Sequence, residues 1–424
     1  MVFFDPSEYI KGIQQLLISD KKKIGFLCGA GTSLAKKNNS SKVVPAVGQL
    51  TIEILDELKT DPKHKAALDE IEIEIKEKYG DKRFNIETLL SNIEEKKTII
   101  GKGELNGLKI ADFIKLSNKI KTLVHSKVSV HKEITEDDYE NLIHNDFAKW
   151  IVKADRQCPI EIFTTNYDYL FELGLECNNA PYYDGFVGSF NPFFYSDSID
   201  SFEYLPKQTK LWKIHGSLGW KELSGGKVIR TCEDDEDIMI YPSSTKYENS
   251  KKMPYTALLD RLCNYLKQQD TVMFICGYSF NDEHINERIL AGLRNNNTSH
   301  VFVFLYDIIW EEEKKTYTLT ENSDLGKIAL SNSRISVLGC KNAIIGGQYG
   351  TWKLKREPDK DETISVNYYF DEDAPIKNEI PLNEEKNGEE EWTGLGELML
   401  PDFSKLVRFL QSMTIEWRDE GNYE

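Results

Sequence analysis

The sequence predicts an α/β fold, namely a Rossmann-like, mainly parallel sheet with a helical insertion and an irregular C-terminal extension. Two observations predict it. Residues 160–164 predict a strand, and the continuous apolar runs at residues 271–276 and 301–306 are typical of strands that are covered on both faces of a sheet. Helical patterns accompany these runs at residues 169–176 and 282–294, and alternation of strands and helices favours a parallel sheet.

The N-terminal part predicts a helix, a strand and then a long helical region. Residues 5–18 carry apolar side chains at helical spacing, and Asp5 is placed to cap that helix. The apolar run at residues 24–28 predicts a short buried strand. From about residue 50 to residue 152 the apolar spacing is helical and strand patterns are few. We interpret this region as a helical insertion between the first strand and the next strand of the sheet.

Three further apolar runs, at residues 211–214, 238–241 and 335–338, predict additional strands. We therefore expect one domain over residues 1–345, with the helical insertion inside it, because the strand and helix patterns continue across that whole range. Residues 346–424 have a different composition, and we expect them to form a separate C-terminal extension.

The predicted C-terminal extension has three parts. Residues 352–369 predict loops or strands. Residues 371–391 hold nine acidic residues and two lysines, which predicts a mobile acidic segment. Residues 401–413 predict a small amphipathic helix. That helix is either a docking element or an ordinary C-terminal helix packed on the domain.

Charge and composition narrow the class of protein. The chain has 424 residues and a formal net charge of −17, which disfavours direct nucleic-acid binding because an acidic surface repels phosphates. No apolar stretch has the roughly 18 residues of a membrane-spanning helix, and the first residues lack the pattern of a secretory signal. The seven cysteines form no CxxC pair. We therefore expect a reduced, cytoplasmic protein without membrane association.

The first candidate motif is the Gly-Ala-Gly-Thr-Ser turn at residues 29–33, directly after the first predicted strand. Glycines let the backbone approach a pyrophosphate closely, and the N–H groups of such a turn can donate to it. The alternative is a tight strand-to-helix turn without a ligand. Pro45 and the segment before Thr51 could close over a ligand bound there. The candidate binding residues are Gly29, Ala30, Gly31 and Ser33.

The second candidate motif is Thr-Thr-Asn-Tyr-Asp at residues 164–168, at the carboxyl end of a predicted strand. Ligands of open α/β sheets bind at this edge. Asp168 is well placed to cap the following helix, and Asn166 is harder to explain as a cap. The Asn166 amide could instead hold a water molecule or a ribose hydroxyl. We include Thr165 and Asp168 as candidates for contact with a cofactor.

The third candidate motif is His215-Gly216, which follows a predicted strand. A histidine at a strand end can project into a cleft, where an imidazole is suited to general base catalysis. The alternative is a structural turn without a catalytic role.

The fourth candidate motif covers residues 277–285, between a buried strand and a helix. Gly277 and Ser279 could bind phosphate or ribose oxygens beside the amino end of that helix, which Asp282 is placed to cap. The next predicted strand is followed by Asp307. An acidic residue at that edge can accept hydrogen bonds from the hydroxyl groups of an adenosine ribose.

The order of these four motifs resembles the sirtuin-like (silent information regulator) family, in its bacterial anti-phage defence branch, over about residues 20–310. The resemblance implies that the chain binds NAD⁺. Asn166 and His215 match the family's catalytic asparagine and histidine. The residues that would lie near the phosphates and the nicotinamide are Gly29, Ala30, Gly31 and Ser33. The residues that would face the adenosine half are Gly277, Ser279 and Asp307.

The sequence departs from the protein-deacylating members of that family. Those members carry a four-cysteine zinc module after the catalytic histidine. Here Cys232 occupies that region and no CxxC pair precedes Cys263, so we expect no structural zinc. The missing module weakens a deacylase interpretation, and the helical insertion is similar to that of the defence-type proteins.

The resemblance therefore implies an NAD⁺ glycohydrolase that cleaves the nicotinamide–ribose bond to give nicotinamide and ADP-ribose, and depletes NAD⁺ in abortive infection. One alternative is an NAD-dependent protein deacylase or ADP-ribosyltransferase. A second is a non-catalytic regulatory subunit that binds NAD or ADP-ribose. Such an NADase needs control, and the partners that the resemblance implies are a second copy of the chain, a HerA-like ATPase and a phage-derived trigger.

Overall fold

The computed structural model describes residues 2–38, 42–154, 156–224, 226–231, 253–311, 314–358, 366–371 and 392–414. Three sequence predictions fall outside the described residues. They concern Cys232, the strand at residues 238–241 and all of the acidic segment except Asp371.

The described strands, in chain order, are β1 (Phe3–Phe4), β2 (Lys23–Cys28), β3 (Glu161–Thr164), β4 (Tyr182–Tyr183), β5 (Phe186–Val187), β6 (Phe193–Phe194), β7 (Thr209–Lys213), β8 (Trp220–Glu222), β9 (Val228–Arg230), β10 (Thr271–Cys276), β11 (His300–Leu305), β12 (Ile308–Glu311), β13 (Lys314–Tyr317), β14 (Ile335–Gly339), β15 (Asn342–Ile345), β16 (Gln348–Trp352), β17 (Phe370–Asp371) and β18 (Glu397–Leu398).

The described α-helices are α1 (Pro6–Ile18), α2 (Ala30–Ser33), α3 (Val47–Leu58), α4 (Pro62–Tyr79), α5 (Ile86–Ile99), α6 (Ile110–Val128), α7 (Ile143–Ala154), α8 (Leu170–Cys177), α9 (Ser196–Asp200), α10 (Tyr255–Lys267), α11 (Glu283–Arg294), α12 (Asp324–Ser331) and α13 (Phe403–Ser412). Short 3₁₀ helices cover Asp81–Arg83, Val130–Glu133, Glu136–Asn141 and Val366–Tyr368.

The central sheet has ten strands in the order β1-β16-β15-β14-β11-β10-β2-β3-β7-β4. Neighbouring strands run parallel except at β14–β15 and β15–β16, which are antiparallel. This arrangement confirms the predicted mainly parallel α/β fold. Smaller sheets are formed by β5, β6, β9 and β8, by β12 and β13, and by β17 and β18.

The strands in the middle of the sheet are buried on both faces, as their continuous apolar sequences predict. All six residues of β10 are buried, and so are the last five of β2. One face is covered by a cluster that includes residues of α1, α7 and α13. The other face is covered by a cluster that includes residues of α10, α11 and α12. Helix α1 begins where the sequence predicts, because the Asp5 carboxylate accepts a hydrogen bond from the Ser7 amide at 3.0 Å.

Helices α3, α4, α5 and α6 form a hydrophobic core of their own, separate from the two cores on the sheet. Ile71, Leu89, Phe113 and Ile120 are fully buried in it. Helix α7, which falls inside the region that the sequence interprets as an insertion, packs instead on the sheet through Phe147 and its neighbours. The helices that lie outside the sheet cores therefore extend from α3 to α6.

The C-terminal helix packs on the domain. Helix α13 contacts α7, and its apolar residues are buried in the cluster on that face of the sheet. Of the two possibilities that the sequence leaves open, the structure therefore shows the packed helix. Among the helices that the structure describes, none is long and apolar enough to cross a membrane.

Candidate functional site

A cavity of about 470 Å³ lies where four neighbouring parallel strands end. Strands β10, β2, β3 and β7 are adjacent in that order and run in the same direction, so their carboxyl ends meet at one edge of the sheet. The segments that follow these strands carry the four sequence motifs. The motif residues that line the cavity are Ala30, Gly31, Ser33, Thr165, Asn166, Tyr167, Asp168, His215, Gly277, Tyr278, Ser279, Asn281 and Asp282.

The glycines of the first and fourth motifs let two backbone segments touch. A Cβ atom on Gly29 would lie 2.5 Å from the Gly277 carbonyl oxygen, and one on Gly31 would lie 2.7 Å from the Gly277 Cα. Gly277 has a φ of 62°, which side chains disfavour. Gly29 itself is not among the lining residues, so its place in the site is to support the turn.

Asn166 is held at the cavity by its side-chain amide group. The two hydrogens of its Nδ2 are shared among three acceptors, the Gly29 carbonyl oxygen at 3.1 Å, Thr32 Oγ1 at 3.1 Å and Ser33 Oγ at 2.7 Å. The residue is 7% exposed. Because Nδ2 is directed at the glycine-rich turn, Oδ1 is the atom of this amide that can accept a hydrogen bond from a water molecule or a sugar hydroxyl.

His215 is paired with a carboxylate from another strand end. Its Nε2 lies 3.1 Å from Asp282 Oδ2, and both residues line the cavity. In a neutral imidazole the ring nitrogen that faces an ionised carboxylate is the one that carries the proton, which here is Nε2 and leaves the lone pair on Nδ1. The arrangement therefore orients an imidazole whose Nδ1 can act as a base.

Residues 160–325 match the family model of the SIR2-like domain. This match supports the sirtuin-like family for that part of the chain and is consistent with an NAD-utilising enzyme. The matched residues include Asn166, His215 and Asp282, whereas the glycine-rich turn at residues 29–33 lies before them. A search of curated proteins finds no match to the chain.

The carboxylate of Asp282 caps a helix and also pairs with His215, and the sequence predicts only the cap. It caps helix α11 as predicted, because its Oδ1 accepts from the amides of His284 at 3.0 Å and Ile285 at 3.4 Å. Its Oδ2 pairs with His215, which sequence reasoning missed. The sequence suggested that phosphate or ribose oxygens could bind beside the amino end of this helix. Two amides of its first turn already donate to the Asp282 carboxylate, so these two amides are not available to a phosphate.

Asp168 also makes a capping contact and a second contact within the site. Its Oδ1 accepts from the Leu170 amide at 3.0 Å, near the start of α8. Its Oδ2 accepts from the Ser33 hydroxyl at 2.7 Å. The same hydroxyl accepts from Asn166, so Asp168 fixes Ser33 and Ser33 in turn supports Asn166.

Asp307 lies away from the cavity and is not among its lining residues. Its Oδ1 accepts from the Cys340 amide at 2.9 Å and its Oδ2 accepts from the Leu319 amide at 3.2 Å. The residue is 2% exposed, and this burial raises the pKa of its carboxyl despite the two backbone donors. The structure therefore gives Asp307 a role in joining three backbone segments and does not bring it to the other predicted site residues.

The helical insertion forms the wall of the cavity that faces the sheet edge. Val44, Pro45, Val47 and Leu50, from the segment before Thr51 that the sequence predicts to lie near a ligand, line the cavity. The remaining lining residues from the insertion are Asn85, Ile86, Glu87, Leu90, Val124 and Val128. Sequence reasoning missed this second set, because apolar residues at helical spacing do not reveal whether they face a core or a cavity.

The charged side chains of the cavity are mainly acidic. Glu87, Asp168 and Asp282 contribute carboxylates to the cavity, and none of the described lining residues is a lysine or an arginine. Within the described ranges no group of three or more His, Cys, Asp or Glu residues is placed to hold a metal ion. The described site can therefore hold a cationic or uncharged group beside its imidazole and its amide.

Proposed function

We propose that the chain is an NAD⁺ glycohydrolase, which cleaves the bond between nicotinamide and ribose and releases ADP-ribose. One observation carries the proposal. Asn166 and His215, which follow the neighbouring strands β3 and β7, line the same cavity. The match of residues 160–325 to the SIR2-like domain supports NAD⁺ as the ligand.

The proposed chemistry needs little acid catalysis. The nicotinamide ring of NAD⁺ is a cationic pyridinium, and it becomes a neutral molecule when its bond to the ribose breaks. The ribose passes through a transition state that resembles an oxocarbenium ion. Asn166 Oδ1 would hold the attacking water or a ribose hydroxyl. His215 Nδ1 would take the proton from it, and Asp282 would stabilise the imidazolium that forms. The cavity carboxylates would favour the positive charge of the nicotinamide ring in the substrate and that of the ribose in the transition state.

A role in anti-phage defence is the finer part of this proposal, and it rests on the resemblance of the motifs. Uncontrolled NAD⁺ cleavage would harm the host cell. We therefore propose that turnover depends on an activating event. Assembly with further copies of the chain, a HerA-like ATPase or a phage-derived trigger would each supply one.

The test is incubation of the purified full chain with NAD⁺, alone and with the proteins encoded beside it, while nicotinamide and ADP-ribose are measured. We expect equal amounts of both products. Transfer of ADP-ribose to an added peptide, or transfer of the acyl group of an acylated peptide to ADP-ribose, in place of the release of free ADP-ribose, would contradict hydrolysis. Absence of nicotinamide under all of these conditions would contradict the proposed function.

Two variants test the proposed catalytic residues. His215→Ala should reduce turnover by about 10²–10⁴-fold, the usual contribution of general base catalysis. Asn166→Ala should reduce turnover by a similar factor, because it removes the group that orients the attacking water or the ribose hydroxyl. The melting temperature should stay close to that of the wild type in His215→Ala. Asn166→Ala should also lose stability, because it leaves buried hydrogen-bond partners unsatisfied, and its turnover is therefore expressed per folded molecule. His64→Ala, in helix α4 outside the cavity, and Asn295→Ala, which is exposed, are the matched controls. Wild-type turnover in either active-site variant would show that the assignment is wrong.

A further inference from the structure

A buried lysine holds the segment that carries Asn166. Lys213 is the last residue of β7, two residues before His215, and it is 2% exposed. Its Nζ donates to the carbonyl oxygens of Tyr167 at 3.2 Å and Asp168 at 2.5 Å. The third contact is with Glu172 Oε1 at 2.7 Å. The three hydrogens of this ammonium thus match three acceptors on the segment that follows β3.

The segment that follows β3 also forms a hydrogen bond with the backbone that follows His215. The Tyr167 carbonyl oxygen, which accepts from Lys213, also accepts from the Leu218 amide at 3.2 Å. At the base of the two segments the Ile214 amide donates to the Thr164 carbonyl oxygen at 2.8 Å. The backbone that carries Asn166 and the backbone that carries His215 are therefore cross-linked by hydrogen bonds on both sides of the histidine.

We propose that Lys213 is a positioning residue that keeps Asn166 and His215 in their relative places. This inference rests on the proposed function. Lys213 does not line the cavity and would not touch the substrate. It acts through the Tyr167 and Asp168 carbonyl oxygens, which directly follow Asn166 in the chain. A displacement of about 1 Å at reacting groups can cost about 10²-fold in rate, so such a clamp has a measurable effect on turnover.

The burial of the ammonium argues against a role in stability alone. Taking a charged pair out of water is costly, and apolar residues of similar volume are often as stable in the same place. Two of the three Lys213 acceptors are backbone oxygens of a site segment, which an apolar side chain cannot hold. An apolar replacement therefore releases the segment even where the fold tolerates it.

The same strand offers a matched control. Lys210 is also 2% exposed, and its Nζ also donates to two carbonyl oxygens, those of Leu205 at 2.6 Å and Gln208 at 3.1 Å. Those acceptors precede β7, and Lys210 does not line the cavity. Replacing Lys210 thus removes a similar buried ammonium without releasing the segment of Asn166.

A second change separates positioning from folding. In Lys213→Met, Glu172 would lose its partner while it stays buried, and its Oε2 has no hydrogen-bond partner even in the wild type. Burial already raises the pKa of Glu172. The double variant Lys213→Met/Glu172→Gln removes both charges and should therefore melt closer to the wild type than Lys213→Met.

The experiment compares full-length wild type, Lys210→Met, Lys213→Met and the double variant. Nicotinamide release from NAD⁺ gives kcat and KM, and thermal unfolding gives the folded fraction. Hydrogen–deuterium exchange of peptides that span residues 164–169 reports the segment directly. We expect kcat per folded molecule to fall at least about tenfold in both Lys213 variants, with KM changed less than about threefold. Exchange at residues 164–169 should become faster in both, but not in Lys210→Met.

The outcomes distinguish this inference from the proposed function. A double variant with wild-type kcat, or a Lys210→Met variant with an equal loss of kcat per folded molecule, would overturn the positioning role. If the wild type releases no nicotinamide, the proposed function fails. The inference is then decided by exchange alone, and unchanged exchange at residues 164–169 in the double variant would overturn it.

Discussion

At the scale of single residues, Asp282 has two roles, because it caps helix α11 and also pairs with His215 in a candidate catalytic pair. One carboxylate oxygen of Asp282 caps α11 and the other contacts the imidazole. His215 and Asp282 follow β7 and β10, and two further strands lie between those strands in the sheet. No local sequence pattern links two positions that only the strand order and the connecting segments bring together.

Replacement of Asp282 should separate its two contacts. Asp282→Asn keeps a good helix cap but removes the charge that stabilises an imidazolium, so turnover should fall at least about tenfold with little change in melting temperature. Asp282→Ala should show the same loss of turnover and also lose about 1 kcal/mol of unfolding free energy. Nicotinamide release and urea unfolding measure the two effects.

The control for Asp282 is another aspartate that caps a helix. Asp402 caps α13, where its Oδ1 accepts from the Ser404 amide at 2.8 Å, and it does not line the cavity. Asp402→Asn should leave both turnover and stability close to wild type. Equal turnover in Asp282→Asn and the wild type would rule out a catalytic part for the His215 pairing.

At the scale of elements, the helical insertion supplies a wall of the site as well as a core of its own. Its helices bury one another, and α3, α5 and α6 also present side chains to the cavity. Leu218, which follows His215, is buried in the core of the insertion, and Tyr167 packs against that core. The insertion is thus in contact with both segments that carry the proposed catalytic residues.

The carboxylate of Glu87 tests whether the insertion contributes to substrate binding. Glu87 lines the cavity from the first turn of α5, and NAD⁺ carries its positive charge on the nicotinamide ring. Glu87→Gln removes the negative charge, so KM for NAD⁺ should rise about fivefold, which corresponds to about 1 kcal/mol. Glu77→Gln, on an exposed position of α4, is the matched control. An unchanged KM in Glu87→Gln would show that the charge of Glu87 does not contribute to the binding of NAD⁺.

The C-terminal helix is expected to contribute to stability, because its apolar face is buried. Phe409 is fully buried in the cluster that α13 shares with α7. Phe409→Ala should lower the unfolding free energy by about 3–5 kcal/mol, the usual cost of removing a buried aromatic ring. Lys405→Ala on the same helix should change it by less than about 0.5 kcal/mol. Equal urea midpoints for Phe409→Ala and the wild type would contradict the packed arrangement.

At the scale of the whole molecule, burial sets how stability should respond to acid. Burial lowers the pKa of His144 and of His300 from the ordinary value of 6.5 to about 4. His144 packs between Phe171 and Phe403, and the nearby Asp168 opposes the shift. Both imidazoles are therefore neutral in the folded protein at pH values where the unfolded chain is already protonated.

The sign of the acid response follows from that difference. Between pH 6.5 and pH 4 the unfolded state binds more protons, so stability should fall as the pH is lowered, by about 1.4 kcal/mol per pH unit for each histidine. Above pH 6.5 the two histidines should have no effect. Urea unfolding at pH 7.5, 6 and 5 measures the slope. His144→Gln should reduce it by about half of the two-histidine contribution, and an unchanged slope would contradict the shift.

The sequence alone predicted six strands of the central sheet (β2, β3, β7, β10, β11 and β14), helices α1, α8, α11 and α13 and the helical region of the insertion, but not the other described strands. Apolar runs, helical spacing and caps depend on residues close in the chain, so β2, β3, β7, β10 and β11 could be located within one or two residues. Because parallel strands end at a common edge, polar residues after several strands predicted one site, and Asn166 and His215 do line the same cavity.

The tertiary structure decided the rest. The order of the strands, the wall formed by the insertion, the contact of Asp282 with His215, the placement of Asp307 outside the cavity and the packing of α13 all depend on partners far away in the chain. An apolar stripe or a carboxylate has the same local sequence whether it faces a core, a cavity or another backbone. The packing of the folded chain selects among these partners, because each buried polar group needs a hydrogen bond and each apolar face needs cover.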